Sequence, residues 1–199
     1  MSERRVAQHA TGTGGRGARR RILDAAAELF YRKGINATGV ERLASRASVS
    51  KRTLYQHFPS KTAVIEAYLS RIHQDVGDPI KLEPDATNKT ARARLAALFD
   101  TPQVRSGPIR GCPFHNAAVE AAAAMPGVHS IVAAHKRNFA DALAKLAEQA
   151  GAVDPQVLGN QLAVLYEGAA ALATSLDDPS PWAHAQAAAE TLIDQAVAG

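Results

Sequence analysis

Apolar residues along this chain recur at steps of three and four, the spacing that lines one face of an α-helix, and no alternating β-branched run competes. The first such face, Ile22, Leu23, Ala26, Leu29 and Phe30, follows Arg19 and is stopped by Gly34 after Lys33. Thr38, with Glu41 three positions on, reads as a capping box ahead of Val40, Leu43 and Ala44 in a short second helix. Ser48-Val49-Ser50 interrupts the pattern, and Ser50 is placed to cap a third helix, Lys51 to His57, which Phe58-Pro59-Ser60 breaks off. Ser60 can cap a fourth helix carrying Val64, Ile65, Tyr68, Leu69 and Ile72. Beyond a linker at about 78–88, further helices are expected at about 89–100, 114–124, 127–150, 155–176 and 182–197, the later ones separated by Gly- and Pro-bearing clusters. The expected fold class is all-α, about nine helices: an N-terminal three-helix module with a helix-turn-helix, then a larger helical body.

Composition narrows the possibilities. With 199 residues, 46% hydrophobic and 21% charged, the chain has the make-up of a globular protein. No run of about 18 apolar residues exists, and MSERRVAQHATGTGGRGARRR lacks the apolar segment of a secretory signal, so a cytoplasmic protein away from membranes is expected. The single cysteine, Cys112, excludes an internal disulfide framework, and the 7 histidines are scattered without the spacing of a metal site, so no metal or cofactor is expected. Charge is divided unevenly: residues 1–61 hold 13 Lys/Arg against 4 Asp/Glu, a balance of +9, while the remainder holds 10 against 15, a balance of −5. A basic first third on an acidic remainder suggests a DNA-facing module attached to a body with another task, because phosphate neutralisation supplies much of the affinity for nucleic acid. The division expected is a disordered basic arm at 1–17, a DNA-binding domain at 18–62 and a ligand-binding and dimerisation domain at 63–199.

Helix, tight turn and helix within some twenty residues of a basic region is the geometry that sets a second helix into the DNA major groove. Val40, Leu43, Ala44, Val49, Leu54 and Phe58 supply the small core of such a unit. The polar remainder of the third helix, Ser50, Lys51, Arg52, Thr53, Tyr55, Gln56 and His57, is left to reach base edges and phosphates, with Arg52 the residue suited to guanine. Thr38, at the start of the second helix, is suited to a phosphate through its hydroxyl and the free N–H groups there, or to plain capping. Arg16, Arg19, Arg20 and Arg21 reach the flanking DNA backbone or minor groove in one reading and are a solvated tail in the other.

The stretch from Thr38 to Lys61, TGVERLASRASVSKRTLYQHFPSK, closely resembles the N-terminal signature of the tetracycline-repressor (TetR) family, with ILDAAAELFYRKGINATGV before it matching the family's first helix. The Leu-Tyr-x-His-Phe-x-Ser-Lys ending is far more specific than a generic helix-turn-helix, and the resemblance runs from about Arg20 to Leu69. It implies that Tyr55 and His57 meet phosphates and that Lys61 is the family's phosphate-binding lysine. It also implies a homodimer on a double-stranded DNA operator, a small-molecule inducer, and repression relieved by that ligand. Ser48 stands where the family's turn has glycine.

Past residue 75 the resemblance is weak. The last two helices are expected to form a four-helix dimer interface through Leu162, Leu165, Tyr166, Ala169, Leu172, Leu192 and Ile193, each of which is equally suited to the chain's own core. The segment GCPFHNAAVE, from Gly111 to Glu120, is similar to a motif in a subset of such regulators and suggests a pocket lined by Cys112, Phe114, His115, Asn116, Glu120, Phe139 and Tyr166. A cysteine beside a helix N-terminus is placed for thiolate reactivity, which makes an electrophile or oxidant an alternative signal; a small buried hydrophobe is the other role open to it. An enzyme using Cys112 and His115 lacks an orienting third group and an oxyanion device. A sequence-indifferent architectural DNA binder would carry basic residues over the body, which is net acidic.

Overall fold

The computed structural model describes residues 15–76, 90–100, 109–121 and 124–197. Nine helices and no strands occur among them: α1 (Gly15–Lys33), α2 (Val40–Arg46), α3 (Lys51–His57), α4 (Lys61–Val76), α5 (Ala91–Ala97), α6 (Pro113–Ala121), α7 (Pro126–Gln149), α8 (Pro155–Leu176) and α9 (Ser180–Val197). The chain divides between Val64 and Ile65 into two compact units. Most of the expected basic arm, residues 1–14, and all of the linker at 78–88 lie outside the described residues. Gly15 to Gly17, expected in the arm, instead open α1, whose apolar face gains Ala18 as a further buried residue.

In the first unit α1 packs on α2 and α3, which also pack on each other. Ile22, Leu23, Ala26, Phe30, Leu43, Ala44, Leu54 and Phe58 are buried there, in keeping with their helical spacing. The terminus of α1 follows the glycine signal: Gly34 takes φ 91° and its N–H reaches Phe30 O at 3.0 Å.

In the second unit α7 packs against α8, α6 and α5, and α9 packs against α8 and α5. Its core joins Leu95, Phe99, Phe139, Leu143, Leu146, Leu158, Leu162, Trp182 and Ile193. Tyr166 stands among aromatic rings, with centroids 6.1 Å from Phe99, 5.1 Å from Phe139 and 5.0 Å from Trp182. Breakers act where the sequence puts them. Asp154 caps α8, its carboxylate accepting the Val157 N–H at 3.0 Å, and Pro155 takes the first helical position, where no N–H is needed. α7 and α8 cross in backbone contact at Gly159, where a Cβ would stand 2.6 Å from Ala144 N and 2.8 Å from Ala144 Cα.

That core takes up several of the residues expected at the dimer contact. Leu162, Ala169 and Ile193 are buried within the chain itself, and Leu165, Tyr166 and Leu192 are partly buried against the same cluster. Of the seven, only Leu172 is an exposed apolar side chain. α8 is apolar on two sides, and the side expected to face outward is the one the fold uses.

Candidate nucleic-acid interface

The unit built by α2 and α3 owes its shape to the turn between them. The Ser48 N–H reaches Ser45 O at 3.1 Å and the Val49 N–H reaches Ala44 O at 3.0 Å, the paired bonds that close a helix through one left-handed residue. Ser48 is that residue, at φ 53°, a position where glycine costs least. Ser50 then caps α3 as expected, its Oγ accepting the Thr53 N–H at 3.0 Å and lying 2.9 Å from Thr53 Oγ1. Leu54 is buried, so the opposite face of α3 turns outward with Lys51, Arg52, Tyr55 and Gln56 exposed. Thr53 and His57 are half-buried at its edges, and Lys61 opens α4.

Neighbouring side chains hold this face. Arg21 Nε donates to Ala47 O at 3.1 Å at the end of α2, the Arg19 guanidinium sits 5.2 Å from the centre of the Phe58 ring, and Arg46 pairs with Glu28 of α1. Arg19 and Arg21, expected either to reach the flanking DNA or to be a solvated tail, are thus tied to the fold. Lys51 Nζ lies 2.6 Å from Glu41 Oε1. That hydrogen bond holds the Glu41 carboxyl below its ordinary range and the Lys51 ammonium above its own. Glu41 therefore answers α3 instead of completing a capping box. Thr38 differs as well: Gly39 is the N-cap of α2, with no side-chain bond, and Thr38 is fully buried. Its hydroxyl donates to Gly34 O at 2.7 Å and its N–H to Ile35 O at 3.3 Å. Neither the capping box nor an outward-facing Thr38 hydroxyl survives in the fold.

Two family models match the chain: bacterial regulatory proteins of the tetR family over residues 22–68, and the tetracyclin repressor-like C-terminal domain over residues 91–189. The chain belongs to the TetR family. Members of this family are transcriptional regulators and not enzymes. The chain is 36% identical over 86 residues to the HTH-type transcriptional activator FasR of Mycolicibacterium smegmatis, a match spanning 41% of this chain and 39% of FasR. It is 36% identical over 89 residues to the HTH-type transcriptional repressor KstR2 of Rhodococcus jostii, spanning 45% of this chain and 43% of KstR2. These alignments thus cover under half of either relative. A TetR-family transcriptional regulator of Streptomyces coelicolor superposes with TM-score 0.80 at 29% identity, covering 92% of this chain and 97% of the other. A TetR-family regulator of Cytophaga hutchinsonii, 19% identical, shares the fold with TM-score 0.80 over 97% of this chain and 98% of its own.

Within the body of this TetR-family chain, the residues expected around a pocket fall into two groups. Phe139 and Tyr166 belong to the aromatic cluster, where burial first, then Cys112 and Glu167, push the Tyr166 phenol up. Phe114 is buried with its ring stacked 3.6 Å from that of His135, and Asn116 Nδ2 donates to Arg110 O at 2.7 Å. Lys136 Nζ donates to Cys112 Sγ at 3.4 Å and also pairs with Glu167. Glu120 is half-buried, while His115 is exposed on α6. His135, one of the scattered histidines to which the sequence assigned no role, has its Nδ1 3.2 Å from His73 Nδ1. Burial first, then the Lys136 ammonium, bring it down to about 4. Its lone place on an apolar helix face gave no sign of that pairing. Among the described residues no group of three His, Cys, Asp or Glu is placed to hold a metal ion.

Proposed function

We propose that the chain is a ligand-responsive repressor that binds a palindromic operator as a homodimer, with residues to about 62 reading DNA and the remainder sensing the ligand. The observation that supports this reading is the outward face of α3, where Lys51, Arg52, Tyr55 and Gln56 stand exposed opposite buried Leu54. A seven-residue helix so presented fits the major groove with its N-terminal residues on base edges. Arg52 is assigned to guanine, Tyr55, His57 and Lys61 to phosphates, and Lys51 and Gln56 to either. Ser50 and Thr53 contribute through the cap.

The second copy is assigned to the exposed apolar stripe of α8. Val157, Val164, Leu172 and Leu176 follow one another at steps of seven, eight and four, so they lie on one helical face, and Val164 is 73%, Leu172 55% and Leu176 62% exposed. Large exposed apolar side chains aligned in this way mark an interaction surface. No described helix is long and apolar enough to cross a membrane. The thiol-sensing alternative has the Lys136 to Cys112 contact in its favour. Loss of operator binding on alkylation of wild type, but not of Cys112→Ser, would establish it.

Selection of bound DNA from a genomic library at stated salt tests the main reading. A palindromic site, relaxed at one position per half-site in Arg52→Ala and uniformly weakened in Lys61→Ala, is expected. A flat, strongly salt-dependent profile refutes sequence-specific readout in favour of an architectural role. Transcription in vitro from the selected site fixes the sign, since one named relative activates and another represses.

A further inference from the structure

In the second unit, Arg94 of α5 is at odds with its surroundings. Its Nη2 is buried and, among the described residues, is the buried side-chain nitrogen or oxygen left without a hydrogen-bond partner. Ala91 and Leu98 stand three positions before it and four after, so they share its helix face, and both pack against the core cluster that holds Leu95 and Phe99. Arg92, two positions away, is exposed and pairs with Asp194 of α9. One arginine of this helix is therefore answered by a carboxylate, while the other keeps its buried Nη2 without an acceptor among the described residues.

A guanidinium stays charged at every pH a protein meets, and a buried charged donor without a partner destabilises the fold that holds it. Leucine or methionine at this position would leave no such donor open. A buried donor left open in this way marks the absence of an acceptor. The forked guanidinium pairs best with a planar oxyanion, and the neighbouring Ala91 and Leu98 favour hydrocarbon beside it. We propose that Arg94 anchors the ligand of this body, and that the ligand is an organic carboxylate whose apolar remainder lies along the Ala91 and Leu98 side of α5. The inference rests on reading the body as a ligand-binding domain, and it names the chemical class that domain accepts.

The test uses the full chain without DNA, with octanoate and 4-phenylbutyrate as probes and octanamide and inorganic phosphate as controls. The expected result is a rise in Tm with either carboxylate up to about 10 mM, none with octanamide or phosphate, and at least a roughly ten-fold loss of apparent affinity in Arg94→Met. Arg94→Gln serves as the second variant should Arg94→Met lose cooperative unfolding. A wild type indifferent to both carboxylates, a shift matched by octanamide or phosphate, or a shift that survives at Arg94 variants overturns the proposal. Operator binding is then measured with the same probes: a carboxylate that binds through Arg94 yet leaves the operator complex intact refutes ligand-gated release while leaving the site standing.

Discussion

Thr38→Val separates two roles that one residue cannot hold at once. The substitution keeps the branched shape and removes only the hydroxyl, which in the fold donates to Gly34 O at 2.7 Å from a fully buried position. Removing one partner of a buried hydrogen bond costs about 1–2 kcal/mol, because the carbonyl left behind stays out of water. For a chain of this length that corresponds to a fall in Tm of roughly 2–8 °C. Operator affinity, measured well below the transition, should be unchanged. A hydrogen bond from a neutral hydroxyl to a phosphate contributes about 1 kcal/mol and releases no counterion, so losing one from each half of a dimer would lower affinity roughly 30-fold at every salt concentration. Denaturation followed by circular dichroism gives the first quantity, and fluorescence anisotropy of labelled operator gives the second. A roughly 30-fold loss of affinity while Tm is unchanged would refute the packing role and return Thr38 to the DNA contacts.

The remaining predictions concern charge, strain, packing and protonation. Glu41→Gln frees Lys51, so operator affinity should rise roughly two- to five-fold per half-site at low salt and the gain should fade toward 0.5 M salt; an unchanged affinity at low salt would show that Lys51 takes no part. At Ser48, whose φ is 53°, Ser48→Val should cost about 1–2 kcal/mol in urea denaturation while Ser48→Gly is neutral or stabilising. Gly159→Ala drives a Cβ to 2.6 Å from Ala144 N, so α7 and α8 must part and unfolding should become easier by about 1–3 kcal/mol or more, outweighing the roughly 1 kcal/mol that alanine contributes to a helix. His135, lowered from 6.5 to about 4, is neutral in the fold and protonated in the unfolded chain at acid pH. Its contribution is therefore flat above pH 6.5 and lost between there and pH 4. The span caps the loss near 3 kcal/mol, and solvent around the half-buried ring reduces it to roughly 1–2 kcal/mol. His135→Gln should flatten that part of the stability profile.

Periodicity and breakers were enough to read the fold class and the place of α2, α3, α7 and α8, because a 3.6-residue pattern and a Pro or Ser cap are local properties of the chain. The face of α3 was legible for the same reason: once Leu54 is assigned inward, Lys51, Arg52, Tyr55 and Gln56 follow by geometry. What the sequence could not show depends on contacts between elements. Thr38 and Glu41 have the spacing of a capping box, yet Thr38 is claimed by the end of α1 and Glu41 by Lys51 of α3, and both claims come from residues outside the motif. Arg19 and Arg21 read as reaching flanking DNA or as solvated until Phe58 and the end of α2 are placed beside them.

α8 shows the same limit most sharply, and it bears on function. Its apolar residues cover two sides, so hydrophobicity alone names two partners without saying which belongs to the chain. The fold assigns one side: Leu158, Leu162, Ala169 and Ala173 are buried in the core, which leaves Val164, Leu172 and Leu176 in solvent. A charge placed on the first side would break the fold at any concentration, since it would have to be buried without a partner. On the second side, Leu172→Glu in an isolated chain would meet only water. If that face joins two copies, the variant should leave the helical circular dichroism spectrum intact, sediment as a monomer at concentrations where wild type is a dimer, and lose most operator affinity. The loss follows because two half-sites would then be bound independently and the gain in effective concentration from linking them disappears. A Leu172→Glu protein that still sediments as a dimer would move the interface away from this stripe.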